Sequence, residues 1–135
     1  MPIPINPKEV REFVLAADRI KPVECRTVFL IAPIPLGVQV GIDDDATAFN
    51  GVSGQASVRT GTRRLTVLRA GLKGWRDFAD ADGTAVPFET MKRTLHGVRM
   101  DVPTDDTLER LHADDRDELA AAIEDWRMTA HEGNG

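Results

Sequence analysis

Apolar residues near the start of the chain recur three and four positions apart and predict a first helix over residues 7–17. Asn6 is a favourable N-cap, Pro7 suits the first helical position, and Glu9 completes a capping box. The apolar stripe consists of Val10, Phe13, Val14 and Ala17. A stripe with this spacing turns one face of a helix towards the core.

Three segments of different character follow. Residues 25–32, CRTVFLIA, are rich in β-branched and aromatic side chains and end before a proline, which predicts a central strand with apolar residues on both faces. Residues 36–42, LGVQVGI, alternate as a strand does, and the alternation favours a strand. Their length also suits a short helix, and periodicity alone does not decide between the two. Residues 43–61 are small, polar and glycine-bearing, and they predict a loop that is flexible or ordered by a partner.

The segment TRRLTVLRAGLKGW, residues 62–75, predicts an amphipathic helix with a basic side. Its apolar positions have helical spacing. They are Leu65, Leu68, Leu72 and Trp75. Another face of the same predicted helix carries Arg69, Lys73 and Arg76.

Three more helices are predicted towards the C terminus. Residues 87–95, PFETMKRTL, and residues 103–111, PTDDTLERL, predict one short helix each, the second capped by a threonine or an aspartate. The last helix begins with Asp114 or Asp115 as N-cap and has acids in its first turn, where the helix dipole favours them. Its apolar stripe is Leu119, Ala122, Ile123 and Trp126. Residues 130–135 are expected to form a short flexible tail.

Together these elements predict a single α+β domain over residues 1–135, rich in helix, with a small sheet around residues 28–31. A chain of 135 residues with 41% hydrophobic content is long enough to bury roughly two-thirds of its unfolded surface. Its one cysteine excludes an intramolecular disulfide, and its first residues lack the pattern of a signal peptide. The formal net charge of −5 disfavours binding to nucleic acid or acidic membranes.

The stretch GWRDFADADGTAVPFE, residues 74–89, has part of the spacing of a calcium loop. With Gly83 at the sixth position of such a loop, Asp80, Asp82 and Glu89 fall at the third, fifth and twelfth positions. The first position, where a carboxylate is required, is Phe78. The same letters describe a tight turn with glycine at a positive φ, which is the interpretation we favour. Trp75 is then expected to lie in the core beneath the turn.

No other group of residues indicates catalysis, a metal or a cofactor. The three histidines, His96, His112 and His131, and Cys25 lack the close-spaced ligand pairs of zinc sites. Cys25 stands in an apolar run and is expected to be a small core residue rather than a reactive thiolate. The sequence therefore predicts a protein that is not an enzyme.

Charge is distributed unevenly along the chain. Bases cluster without an intervening acid over residues 59–76, whereas acids outnumber bases over residues 101–125. Either these are solvated faces that attract each other within one domain, or they are complementary surfaces for another copy or a partner. A nucleic-acid interface ranks below both, because no aromatic residues interleave with the arginines to stack on bases.

Three segments together resemble small morphogenesis proteins of tailed bacteriophages, and most of all tail assembly chaperone-type proteins. They are REFVLAADR with RTVFLIAPI, then VLRAGLKGWRDFADADGTAVPFE, and finally DRDELAAAIEDWRM. The resemblance covers most of the chain, and its most specific part is the glycine-tryptophan pair, the aspartate-glycine turn and the proline-phenylalanine pair. The segment PIPLGVQVGI departs from the charged helix expected after the first strand.

The resemblance implies a small, largely helical protein without catalytic residues or a cofactor. Its expected partners are other phage structural proteins, such as a tape-measure, tail or connector protein, or further copies of itself. The expected location is the cytoplasm of the bacterial host during assembly. A permanent connector, tail or capsid component of the virion is the alternative.

Four residues are predicted to contact the partner. Arg69, Lys73 and Arg76 form the basic helix face that would meet an acidic surface. Trp126 lies at the end of the last apolar stripe, where it either packs inward or anchors an interface, and inward packing is the favoured alternative.

Overall fold

The computed structural model describes residues 9–53 and 60–132, which form helices and two small antiparallel sheets. The strands are β1 (Arg11–Phe13), β2 (Val28–Ile31), β3 (Leu72–Arg76), β4 (Thr90–Leu95) and β5 (Val98–Pro103). The helices are α1 (Leu36–Ser53), α2 (Thr60–Gly71), α3 (Asp105–Glu109) and α4 (Ala113–Glu132). Two short 3-10 turns, Ala16–Asp18 and Val23–Cys25, connect β1 to β2. The predicted α+β class is confirmed.

The first sheet has the order β1-β2-β3, so the predicted central strand is confirmed at β2. Phe29 in β2 pairs with Phe13 in β1 and with Trp75 in β3. Only 1% of Phe29 is exposed. Along β2 the buried residues Phe29 and Ile31 alternate with the half-buried residues Val28 and Leu30, so one face of the strand is fully buried and the other is partly covered.

The predicted first helix is wrong over its described part, because residues 11–13 form an edge strand. Arg11, Glu12 and Phe13 pair with Ile31, Leu30 and Phe29. The helical spacing of the apolar residues was a local signal, and pairing with β2 outweighs it. The proposed cap residues Asn6 and Pro7 lie outside the described residues.

The favoured strand at residues 36–42 is also wrong, since this segment begins α1. Val38 and Ile42 are one helical turn apart and buried, whereas Leu36 and Val40 are exposed. Apolar residues at every second position therefore occupy two opposite helix faces, which explains why the pattern imitated a strand. The predicted loop over residues 43–61 is helical up to Ser53 and again from Thr60. Residues 54–59 lie outside the described residues.

The predicted basic amphipathic helix ends early. It is helical only as far as Gly71, and Leu72 to Arg76 form β3. At this point Ala32 donates its backbone N–H to the Gly71 carbonyl over 2.8 Å. A Cβ on Gly71 would lie 2.5 Å from Cγ2 of Ile123 in α4. Because α4 packs closely against Gly71 and residues 72–76 pair with β2, the last part of the predicted helix forms a strand.

The short helix predicted over residues 87–95 is wrong, because β4 and β5 form a hairpin. All six residues of β4 pair with β5, from Thr90 opposite Pro103 to Leu95 opposite Val98. The two turn residues, His96 and Gly97, have φ angles of 45° and 80°. Positive φ at both central positions is the geometry of the tight turns that match the twist of a hairpin.

The two helices predicted nearest the C terminus are confirmed. Thr104 caps α3 by accepting a hydrogen bond from the Thr107 N–H. Helix α4 begins at Ala113, so the predicted N-cap role of Asp114 or Asp115 is wrong, and both acids lie in the first turn. The helix continues to Glu132, so the predicted tail is helical up to that residue. The core joins both sheets to the helices. Its largest fully buried apolar side chains include Phe29, Val38, Val67, Leu68, Leu72, Val102, Leu119 and Ile123.

Candidate functional site

The sequence that resembled a calcium loop is a tight turn between two paired backbone segments. The Asp80 carbonyl accepts the Gly83 N–H over 3.0 Å, and the Asp80 N–H donates to the Thr84 carbonyl over 3.0 Å. Gly83 has φ of 87°, the left-handed conformation that glycine adopts without strain. The interpretation as a turn is confirmed.

The carboxylates of this turn are used by its own backbone. Asp80 Oδ1 accepts the N–H groups of Asp82 and Thr84, and Asp82 Oδ1 also accepts the Thr84 N–H. A hydrogen bond shared between the Asp80 and Asp82 carboxyl groups, together with hydrogen bonds from Thr84, lowers the pKa of Asp82 from 3.8 to about 2. Within residues 9–53 and 60–132, no three acidic, histidine or cysteine side chains are arranged to hold a metal ion. The turn therefore orders the chain between β3 and β4.

Replacing Gly83 with alanine should lower the free energy of unfolding by about 1 kcal/mol, because alanine at this φ is strained. Gly61 in α2 provides the matched control, since a Cβ there meets no atom within 4 Å. Gly61→Ala should raise stability by about 0.5–1 kcal/mol, because alanine favours the helix. Urea denaturation of both variants measures whether each substitution lowers or raises the free energy of unfolding. A neutral Gly83→Ala variant would contradict the strain argument.

The predicted basic face does not exist as one helical surface. Arg69 lies in α2, whereas Lys73 and Arg76 lie in β3, because the helix ends between them. Lys73 is partly buried, and this burial lowers the pKa of its ammonium group. Arg76 donates to the Glu12 carboxylate over 2.6 Å across the sheet. The three bases therefore have separate surroundings, and a shared role in partner binding loses its geometric basis.

Trp126 lies in the second half of α4, but its side chain is outside the part of the structure that can be described. The choice between inward packing and an exposed anchor therefore stays a prediction. The preceding stripe residues behave as expected, since Leu119 is 0% exposed and Ile123 is 1% exposed.

Opposite charges of the chain pair with each other between α2 and α4. Arg63 in α2 contacts Glu124 in α4 at 3.2 Å, and Arg64 contacts Asp117 at 3.1 Å. This arrangement favours the first of the two hypotheses, attraction between solvated faces of one domain. Such half-exposed pairs contribute little stability each, about 0.2–1 kcal/mol. They align α2 with α4 rather than hold the core together. Arg59 lies outside the described residues.

A cavity of about 400 Å³ lies where α2, α3 and α4 meet. Its apolar lining includes Leu65, Leu68 and Leu108, of which Leu68 and Leu108 are buried. Its charged lining includes the bases Arg64, Arg69 and Arg116 and the acids Asp105, Glu109 and Asp117. The cavity thus combines an apolar surface with several groups that recognise charge.

Arg69 is a largely buried charge in this cavity. Its side chain is 14% exposed, and Nη2 donates to Oδ1 of Asp105 over 2.9 Å. The Asp105 side chain is 68% exposed, and the hydrogen bond and charge of Arg69 lower the pKa of its carboxyl group. Nε of Arg69 is shielded from solvent and has no hydrogen-bond partner among the described residues. A buried donor without a partner costs about 1–3 kcal/mol.

Arg116 is fixed in place by the end of α3. Its Nη1 donates to the carbonyls of Leu108 and Leu111 over 3.1 and 3.2 Å. The Leu108 carbonyl also accepts the Leu111 N–H over 3.1 Å, so the guanidinium adds a further donor to the backbone at the end of α3. Arg116 was not among the predicted site residues. The available signal was its position as a lone base among the acids DDRDE at the start of α4.

Cys25 is exposed, so the expectation that it is a core residue is wrong. It belongs to the 3-10 turn Val23–Cys25, and the buried part of the apolar run begins only with β2. Strand pairing, rather than local hydrophobicity, set the boundary of the buried segment.

Comparisons with protein-family models, curated proteins and solved structures find no match to this chain. None of the described helices has both the length and the apolar character needed to cross a membrane.

Proposed function

We propose that this protein acts in the assembly of bacteriophage tails, by binding another structural protein in the manner of a tail assembly chaperone. The role requires protein contacts rather than catalysis. The observation that supports a binding role is a set of large apolar side chains that are exposed although the protein has a buried core. Ile20 is 91% exposed, Val23 is 75% exposed and Leu36 is 72% exposed.

The positions of these residues support a contact surface. Ile20 and Val23 are three residues apart on the connection between β1 and β2. Leu36 and Val40 are one turn apart on α1, on the opposite side from the buried Val38 and Ile42. Single exposed apolar residues are common, whereas exposed apolar residues that form a contiguous patch mark surfaces that a partner covers. The phage assignment itself comes from the resemblance of the sequence segments.

The test is recovery of the tagged protein together with the tape-measure protein of the same phage, at low and moderate salt. We expect the wild-type protein to retain its partner and the variant with Ile20→Ser and Val23→Ser to lose it while still folding. Met91→Ser is the matched control, because Met91 is an exposed apolar residue on β4 that belongs to neither pair. Retention by none of the three proteins would reject the proposed function.

Mass spectrometry of purified particles separates the chaperone from a permanent component. A chaperone should be absent from the particles, whereas a connector, tail or capsid component should be present in stoichiometric amount. Stoichiometric presence would therefore replace the chaperone proposal with the structural alternative.

A further inference from the structure

The cavity between α2, α3 and α4 has the properties of a recognition site. Its volume of about 400 Å³ lies within the range of about 300–1,000 Å³ that is usual for ligand pockets. Leu65, Leu68 and Leu108 provide an apolar surface, and charged side chains surround them. Pockets of this kind bury an apolar group and use a few polar atoms for orientation.

Arg69 has unused capacity to bind a carboxylate. A guanidinium can offer two parallel N–H groups to one carboxylate. Here Arg69 donates Nη2 to a single oxygen of Asp105, and Nε has no partner in the described part of the chain. Asp105 is largely exposed, so its side chain has room to move into solvent when another carboxylate takes its place on Arg69.

We propose that this cavity binds a segment of a partner protein that carries a carboxylate beside a leucine-sized aliphatic side chain. The aliphatic group packs against Leu65, Leu68 and Leu108. The carboxylate displaces Asp105 and accepts from Nε and Nη2 of Arg69 together. The guanidinium must turn for this exchange, because Nε is shielded from solvent in the present arrangement.

The surrounding charges favour one carboxylate over a polyanion. Three acids, Asp105, Glu109 and Asp117, share the cavity with the three arginines. The whole chain carries a formal net charge of −5. A nucleic acid would bring many phosphates to these acids, whereas a protein segment brings one charge to one buried arginine. The identification of the ligand as a protein rests on the proposed function.

The test uses the full-length protein and two tripeptides, both N-acetylated and C-amidated. One has the order leucine, glutamate, leucine, and the other has glutamine in place of glutamate. Backbone amide NMR shifts are followed during titration with each peptide. We expect saturable shifts around Leu65, Leu68 and Leu108 with the glutamate peptide, and binding about tenfold weaker with the glutamine peptide, as the loss of a charge-assisted hydrogen bond predicts.

Two variants locate the binding. Arg69→Gln should weaken the glutamate peptide about tenfold and leave the glutamine peptide unchanged. Arg76→Gln is the control, because Arg76 pairs with Glu12 on the sheet and does not line the cavity. If Arg69→Gln does not fold by circular dichroism, the wild-type comparison of the two peptides still decides. Equal affinity for both peptides, or no saturable shift near the cavity, would overturn the proposal.

A second readout separates this proposal from the proposed function. If the wild-type protein and Arg69→Gln retain the tape-measure protein equally, the cavity is not its binding site, although the assembly role stands. If the peptides bind as expected but the wild-type protein retains no tape-measure protein, the cavity proposal stands and the assembly role fails.

Discussion

Truncation of Trp75 to alanine is expected to lower the free energy of unfolding by about 3–5 kcal/mol, the range measured for large aromatic side chains in cores. Trp75 packs edge-on against Phe29, Phe78 and Phe88, with ring centroids 4.8 to 6.1 Å apart. Its Nε1 donates to the Val86 carbonyl over 2.8 Å. One side chain thus joins β3 to the turn and to the segment that follows it. Since part of the indole is exposed, we expect the lower half of that range.

Urea denaturation of Trp75→Phe divides this loss into two parts. Phenylalanine keeps most of the ring contacts but leaves the Val86 carbonyl without its donor, which should cost about 1–2 kcal/mol. Met91→Ala, at a site that is 47% exposed, should change stability by less than about 0.5 kcal/mol. If Trp75→Ala were as stable as the wild type but lost its partner protein, Trp75 would be an interface residue instead.

Truncation of Leu119 to alanine should lower the free energy of unfolding by about 3–4 kcal/mol, because it leaves a cavity in the fully buried surface of α4. Leu119 is 0% exposed and belongs to the same core cluster as Leu68 and Ile123. The ion pairs between α2 and α4 do not compensate, because they are exposed and weak. A loss of this size is a large share of the about 5–15 kcal/mol that stabilises a typical domain.

Ala121→Gly on the exposed side of α4 is the control for Leu119→Ala. It should cost about 1 kcal/mol through helix propensity alone. Chemical denaturation of both variants then separates the contribution of core packing to stability from the contribution of helix propensity. If Leu119→Ala cost no more than Ala121→Gly, α4 would contribute little to the core.

The structure also changes how the charges of the chain are understood. The run of bases over residues 59–76 suggested a docking face, but within residues 60–76 a helix end, a strand and half-exposed ion pairs with α4 divide it. Of the three bases predicted to contact a partner, Arg69 keeps a proposed binding role. It was predicted on an exposed helix face, but it lines a cavity. Residues of α3 and α4 surround Arg69. The nearest of them along the chain, Asp105, is 36 residues from Arg69.

The sequence by itself determined the features that depend on neighbouring residues. The central strand followed from a run of β-branched and aromatic residues, and the turn at Gly83 followed from its aspartates and glycine. Helix α3 followed from a capping threonine or aspartate, of which the structure uses Thr104. Each of these relies on backbone preferences or hydrogen bonds that close within a few residues. The α+β class followed because a short apolar run between amphipathic segments has few other ways to be buried.

Only the tertiary structure decided which amphipathic segments became strands and where helices ended. Residues 11–13 form a strand because they pair with β2. Strand β3 begins at Leu72 because α4 packs against Gly71 and the following residues pair with β2. The pairing that forms β4 and the cavity around Arg69 likewise join distant parts of the chain. The apolar pattern of a segment determines which of its side chains favour burial. The segment that covers those side chains determines the backbone conformation, and that covering segment is remote in sequence.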